Sequence, residues 1–218
     1  MAKGSVLRKV ELSQPAGEPV VAAPLRLDLG CGKNTPEGWE GVDAIDFGQK
    51  HVFSLVKENK KWYRQNHEYR LGDRELPPDE PQFVSWPWAD NSVDEVRTSH
   101  FLEHLTNVER VFFFNELYRV MKKDATALIV TPNWSHACAY GDPTHQWPPM
   151  SQWFPLYLHK DWRATNGPHS GYTCHFDHVI AGSWDAGLET KTMEVRQFAM
   201  GNYINGWRDL IVTLTKRE

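Results

Sequence analysis

The sequence predicts an α/β chain: a mostly parallel sheet with helical crossovers, closed by an antiparallel pair of strands at its C-terminal end. Three observations predict it. A short alternating run, Leu25–Leu29, stops at Gly30-Cys31-Gly32, which reads as a strand entering a tight loop. An amphipathic stretch from Asn107 to Lys122 leads into Ala127-Leu128-Ile129-Val130, a run without polar alternation, as expected of a strand buried on both faces. Near the end, Glu194–Met200 and Asp209–Thr215 read as two closing strands. About eight residues connect them, too few for a helical crossover, so they should pair antiparallel.

In chain order, residues 1–23 mix basic residues with Pro and Gly and read as an N-terminal arm. Residues 24–218 read as a single domain. After the glycine loop, Gly41–Asp46 is a second strand with acids at its exit, and a helix is expected over about 49–65. The polar stretch 57–82, with three prolines near its end, reads as an insertion with a long loop. Val93–Thr98 is a further strand. The helix from Asn107 carries Val108, Val111, Phe112, Leu117, Val120 and Met121 at helical spacing. A turn at Lys123–Thr126 enters the buried strand. Residues 134–182, rich in Trp, His, Pro and Tyr, read as a second insertion.

Composition narrows the function. Lys and Arg number 24 against 28 Asp and Glu, a net charge of −4, which argues against capture of a phosphate backbone and hence against nucleic acid as partner. Mean hydropathy is −0.57 and no apolar run approaches 18 residues, so no membrane span is expected. Ten histidines would reverse the sign of the net charge if all were protonated. Ten tryptophans supply broad apolar area with one donor each, suited to core and ligand wall alike. Three cysteines, Cys31, Cys138 and Cys174, form no C-x-x-C, and the N-terminal stretch has no apolar core of a signal peptide. A cytoplasmic protein with free thiols is expected.

In an open α/β sheet, ligands collect at the carboxyl ends of the strands. Leu27-Asp28-Leu29-Gly30-Cys31-Gly32 lies at such an end. The glycines permit close approach of backbone to a ligand, and Asp28 sets a carboxylate beside it. Asp43, fifteen residues on, can accept both hydroxyls of a ribose. A dinucleotide fingerprint needs a third glycine where Thr35 stands. A carboxylate before the glycines suits a cationic ligand such as S-adenosylmethionine better than a pyrophosphate. The bland alternative is a plain glycine turn with a strand-end acid.

The chain resembles the class I S-adenosylmethionine-dependent methyltransferases, in the type-11-like group with a D-x-G-C-G loop and a D-N-S-x-D segment. Leu27–Gly32 (LDLGCG), Trp86–Val96 (WPWADNSVDEV), Ser99–Leu105 (SHFLEHL) and Glu116–Lys123 (ELYRVMKK) carry the resemblance in order, with Pro132-Asn133 after the buried strand. It covers about residues 25–133. It implies a seven-stranded sheet with helices on both faces and S-adenosylmethionine as cofactor. Asp28, Leu29, Gly30 and Gly32 would cradle its methionine and ribose parts, Asp28 near the ammonium group, and Asp43 would bind the ribose. Trp86, with Trp88 and Asp90, would border the adenine, and His100 and Phe101 would lie beside the activated methyl. Two features depart from the family: Lys123-Asp124-Ala125-Thr126 replaces a Pro-Gly-Gly-like turn, and Gln82–Ser85 lacks the acid often found there.

Methyl transfer is an in-line displacement that needs proximity and, for a hydroxyl acceptor, a base. His100 and His145 are the candidate bases. His100, Glu103 and His104 would share one face if the segment turns helical, with Glu103 read as structural. His104, Tyr140, Asp142, His145 and Trp147 are candidates for contact with a small-molecule acceptor, although Asp142-Pro143-Thr144-His145 equally fits an Asx turn. Trp134, Tyr140, Trp147, Trp153, Phe154, Tyr157 and Trp162 are either a lid or the core of the second insertion. His169, His175 and His178 match no metal-binding pattern, so no metal is expected. Two other classes stay open: a non-catalytic cofactor-binding module, and a metal-dependent hydrolase built on Asp142, His145, His175 and His178.

Overall fold

The computed structural model describes residues 23–56 and 83–218. The arm expected at 1–23, save its last residue, and the polar insertion at 57–82 lie outside the described residues. Seven strands form one sheet: β1 (Arg26–Leu29), β2 (Glu40–Asp43), β3 (His51–Val52), β4 (Val93–Ser99), β5 (Met121–Pro132), β6 (Phe176–Trp184) and β7 (Trp207–Lys216). Their order is β3-β2-β1-β4-β5-β7-β6, and β7 alone runs against the others. Leu27, Leu29, Val42, Ala127, Ile129, Val212 and Leu214 are fully buried along its middle, which is why these short apolar runs are strands rather than loops. The class I methyltransferase fold implied by the sequence is the fold observed.

Helix α1 (Asn107–Val120) starts at Thr106. Glu109 N–H donates to the Thr106 hydroxyl and Thr106 N–H to the Glu109 carboxylate, a reciprocal cap. Its fully buried residues are Phe113, Phe114, Leu117 and Val120, each contributing about 1.5–3 kcal/mol by burial. Val108, expected on this face, is exposed, and Met121 already belongs to β5. The turn expected at Lys123–Thr126 is a bulge inside that strand. Val93 pairs with Met121 and Glu95 with Thr126, and Asp124 takes a left-handed φ of 61° to absorb the extra residues.

Three expectations need correction, and one connection between parallel strands holds no crossover helix. Residues 49–56 contain β3 and no helix; the rest of the helix expected at 49–65 lies outside the described residues. The β1–β2 connection, residues 30–39, holds turns only, broken by Pro36 and Gly38. Glu194–Met200 is not a strand: it lies in α5 (Met193–Asn202), whose Thr192 hydroxyl accepts from Val195 N–H. The antiparallel partner of β7 is instead β6, drawn from residues read as insertion. The rest of that stretch carries three short helices, α2 (Cys138–Gly141), α3 (Phe154–Tyr157) and α4 (Lys160–Asn166).

Two of the sequence segments prove to be one structural unit. Glu116, buried on α1, accepts from Trp86 N–H at 2.6 Å and from Arg119 at 2.7 Å. Arg119 in turn donates to the Trp86 and Trp88 carbonyls and to Asp90. The E-L-Y-R of the helix thus clamps the W-P-W-A-D turn that enters β4.

Candidate active site

The rim of the sheet gathers the ends of β1, β2, β4 and β5, and the antiparallel sense of β7 brings its beginning, Asp209, to the same rim opposite Pro132. Gly30 and Cys31 donate to the Val42 carbonyl at 2.8 and 3.2 Å, folding the loop over β2. Gly30 and Gly32 have φ of +68° and +55°, a region that disfavours side chains. A Cβ on Gly30 would lie 2.5 Å from the Phe101 ring, whereas one on Gly32 would meet nothing within 4 Å. Asp43 accepts from Gly32 N–H through one oxygen and from Ile45 N–H through the other, both at 3.0 Å. Each oxygen keeps a further lone pair.

Asp28 is 2% exposed. Its Oδ1 lies 3.2 Å from Arg97 Nε, while Oδ2 is buried without a hydrogen-bond partner. Burial pushes its carboxyl up to about 6, against the downward pull of Arg97. A buried orphan acceptor is uncommon and asks for a missing donor. No helix follows the glycine loop, so the positive helix end that attracts a pyrophosphate is absent there. Arg97 engages only one oxygen of Asp28, and the free oxygen together with Asp43 gives this rim an acceptor set that fits a cation.

Trp86 is 4% exposed, donates its indole N–H to the Leu55 carbonyl and packs edge-on against Trp88 and Phe113. It is a core residue, which corrects its expected place at the adenine. A cavity of about 440 Å³ lined by Phe53, Ser54, Val84, Ser85 and Pro87 includes no residue of the glycine loop.

His100 follows β4 with a φ of +53°, a strained conformation of the kind found at functional sites. Its Nδ1 lies 3.3 Å from Glu103 Oε1 and its Nε2 3.8 Å from Asp209 Oδ1. The Glu103 hydrogen bond, above all, raises its pKa against the opposing effect of burial. Asp209 Oδ2 accepts from the Ser183 hydroxyl at 2.7 Å, and Oδ1 has no hydrogen bond. Sequence reasoning missed Asp209; the one signal was a single acid near the start of the closing strand.

Glu103 and His104 sit on a 3-10 turn, Leu102–His104, against the Asp142–His145 turn. Asp142 Oδ1 accepts from Thr144 N–H at 2.8 Å and from its hydroxyl at 2.7 Å, the expected Asx geometry. The Thr144 oxygen lies 2.9 Å from His104 Nδ1. Gln146 N–H donates to the Glu103 carbonyl at 2.7 Å, and Arg110 donates to the carbonyls of Leu102 and Pro148. The His145 ring stands edge-on to His104, centroids 4.8 Å apart, with Nδ1 3.2 Å from the Ala139 carbonyl. Tyr140 and Trp147 are 54% and 74% exposed nearby in sequence. The hydrolase set does not assemble: His175 stacks edge-on with His159, and among the described residues the group of possible metal ligands is Glu103, His104 and His145. The aromatic cluster divides, with Trp134, Tyr140, Trp147 and Trp153 exposed while Phe154 packs on Phe114.

Residues 27–129 match the family model of a methyltransferase domain. An S-adenosylmethionine-dependent methyltransferase from Archaeoglobus fulgidus is similar in structure, with a TM-score of 0.51, 22% identity, and coverage of 89% of this chain and 86% of that one. Two others score lower. The geranyl diphosphate C-methyltransferase of Streptomyces coelicolor, solved with Mg2+, geranyl diphosphate and S-adenosylhomocysteine, has a TM-score of 0.43 and 15% identity over 89% and 72% of the two chains. The methyltransferase in complex with the Haloferax volcanii Trm112 activator has 0.41 and 16% over 92% and 85%. No curated protein matches the chain by sequence.

Proposed function

We propose that the chain, whose residues 27–129 match a methyltransferase domain, is an S-adenosylmethionine-dependent methyltransferase that methylates a small-molecule acceptor at the rim where β4, β5 and β7 meet. The observation that carries the cofactor placement is Asp28: a buried carboxylate whose free oxygen lacks a donor, set before a glycine loop with no helix behind it. The cofactor's ammonium group would supply that donor. Asp43 would offer its remaining lone pairs to the ribose hydroxyls, with the Gly32 contact holding the carboxylate in place.

His100 and Phe101 would bound the transferred methyl. His100 lies between Glu103, 3.3 Å from Nδ1, and Asp209, 3.8 Å from Nε2; in its neutral form, with Nδ1–H on Glu103, it would accept a hydrogen bond at Nε2 from an N–H or O–H of the acceptor and aim that atom's lone pair at the methyl. Tyr140 and Trp147 would wall the acceptor side. The net charge of −4 disfavours nucleic acid, and the three free thiols fit a cytoplasmic setting. No helix among the described residues is long and apolar enough to cross a membrane.

The test is transfer of a labelled methyl from S-adenosylmethionine to a fractionated small-metabolite pool. A labelled product together with S-adenosylhomocysteine is expected. Cofactor binding without transfer to any pool would support the non-catalytic module instead.

A further inference from the structure

The Asp142-Pro143-Thr144-His145 turn is more elaborate than an acceptor wall requires. Asp142 accepts the Thr144 hydroxyl proton, so the Thr144 oxygen is left as the acceptor for His104, and His104 Nδ1 must carry the hydrogen of that 2.9 Å contact. The Ala139 carbonyl can only accept, so His145 Nδ1 carries a hydrogen too. The tautomer of each ring that satisfies these contacts leaves its lone pair on Nε2. This is the outer-shell arrangement by which metal-binding histidines are oriented: one ring N–H on an oxygen, the other nitrogen bare. The third member is Glu103, 4% exposed, its backbone tied to the same turn through Gln146.

We propose that Glu103, His104 and His145 bind a first-row divalent transition metal such as Zn2+. One donor atom from each lies within 4.8 Å of the other two. Ligand distances of roughly 2.0–2.2 Å bring donors to about 3–4 Å from one another, so side-chain shifts of about 1 Å or less close the set. Two imidazoles and one carboxylate suit this class of ion and leave positions open for water or a ligand oxygen, nitrogen or sulfur. The site makes use of the motif that cofactor binding leaves unexplained, and it stands whether or not the methyltransferase reading of the acceptor is correct.

The experiment uses untagged full-length protein, stripped with chelator and titrated with Co2+ as the spectroscopic probe and with Zn2+ by calorimetry. One equivalent is expected, with visible cobalt bands and displacement of Co2+ by Zn2+. His104→Ala and His145→Ala should each weaken binding at least tenfold. Thr144→Val, which removes no ligand, should weaken it about tenfold through the orientation of His104, and His175→Ala should leave it unchanged. S-adenosylhomocysteine binding by each variant reports an intact fold, and His145→Asn serves where the alanine variant fails to fold. Absence of saturable uptake by the wild-type protein, or uptake unchanged in the His104 and His145 variants, would overturn the site.

Discussion

At Asp28, burial and Arg97 oppose each other and burial prevails, holding the carboxyl at about 6 against an ordinary 3.8. The protonated form is thus favoured by folding. This contribution to stability is complete below about pH 4 and is lost as pH rises through 6, at most about 3 kcal/mol. Asp28→Asn, which stays neutral, should gain stability relative to wild type between pH 4 and 7 in urea titrations. On the proposed placement the cofactor would reverse the preference, because its ammonium pairs with the ionised carboxylate. S-adenosylhomocysteine affinity should therefore fall severalfold from pH 7 to 5 in the wild type and stay flat in Asp28→Asn. Asp43→Ala should weaken the same binding by about 1–3 kcal/mol through lost charge-assisted hydrogen bonds. Gly30→Val would press on Phe101 as well as on the ligand. Gly32→Ala is the cleaner probe, since its Cβ meets no protein atom and strains the loop by about 1 kcal/mol; calorimetry should show binding lost while the fold survives. Asp28, Gly30, Gly32 and Asp43 were legible because strand end, glycines and acid follow one another in sequence. Asp209 was not, because its meeting with His100 depends on the antiparallel register of β7, and the His104–Thr144 contact spans forty residues.

Among the elements, the clamp of Glu116 and Arg119 on the turn from Trp86 to Asp90 joins α1 to the entry of β4. Glu116→Ala leaves Arg119 and Trp86 N–H without their carboxylate, and stability should fall by about 3 kcal/mol in urea unfolding; a loss below 0.5 kcal/mol would reduce the clamp to a surface pair. The central strands and α1 were readable because each keeps one periodicity over its length. Two misreadings have separate causes. Glu194–Met200 has the spaced apolar residues of a strand, but Thr192 caps a helix there, and its large apolar side chains Met193, Val195 and Phe198 remain exposed. The strand that does pair with β7 was hidden among Trp and His residues, and its sequence, FDHVIAGSW, carries no polar–apolar alternation to mark it.

For the whole molecule, the sheet order sets the rim and the rim sets the carboxylates, which on the proposed placement would select a cationic nucleoside. Calorimetric titration of the purified full-length protein with S-adenosylhomocysteine at neutral pH tests that chain of causes most directly. One equivalent bound with saturable heat in the wild type, and none in Gly32→Ala, is the predicted result. A wild-type protein that gives no heat and no thermal stabilisation, or a Gly32→Ala variant that binds as tightly as wild type, would contradict it.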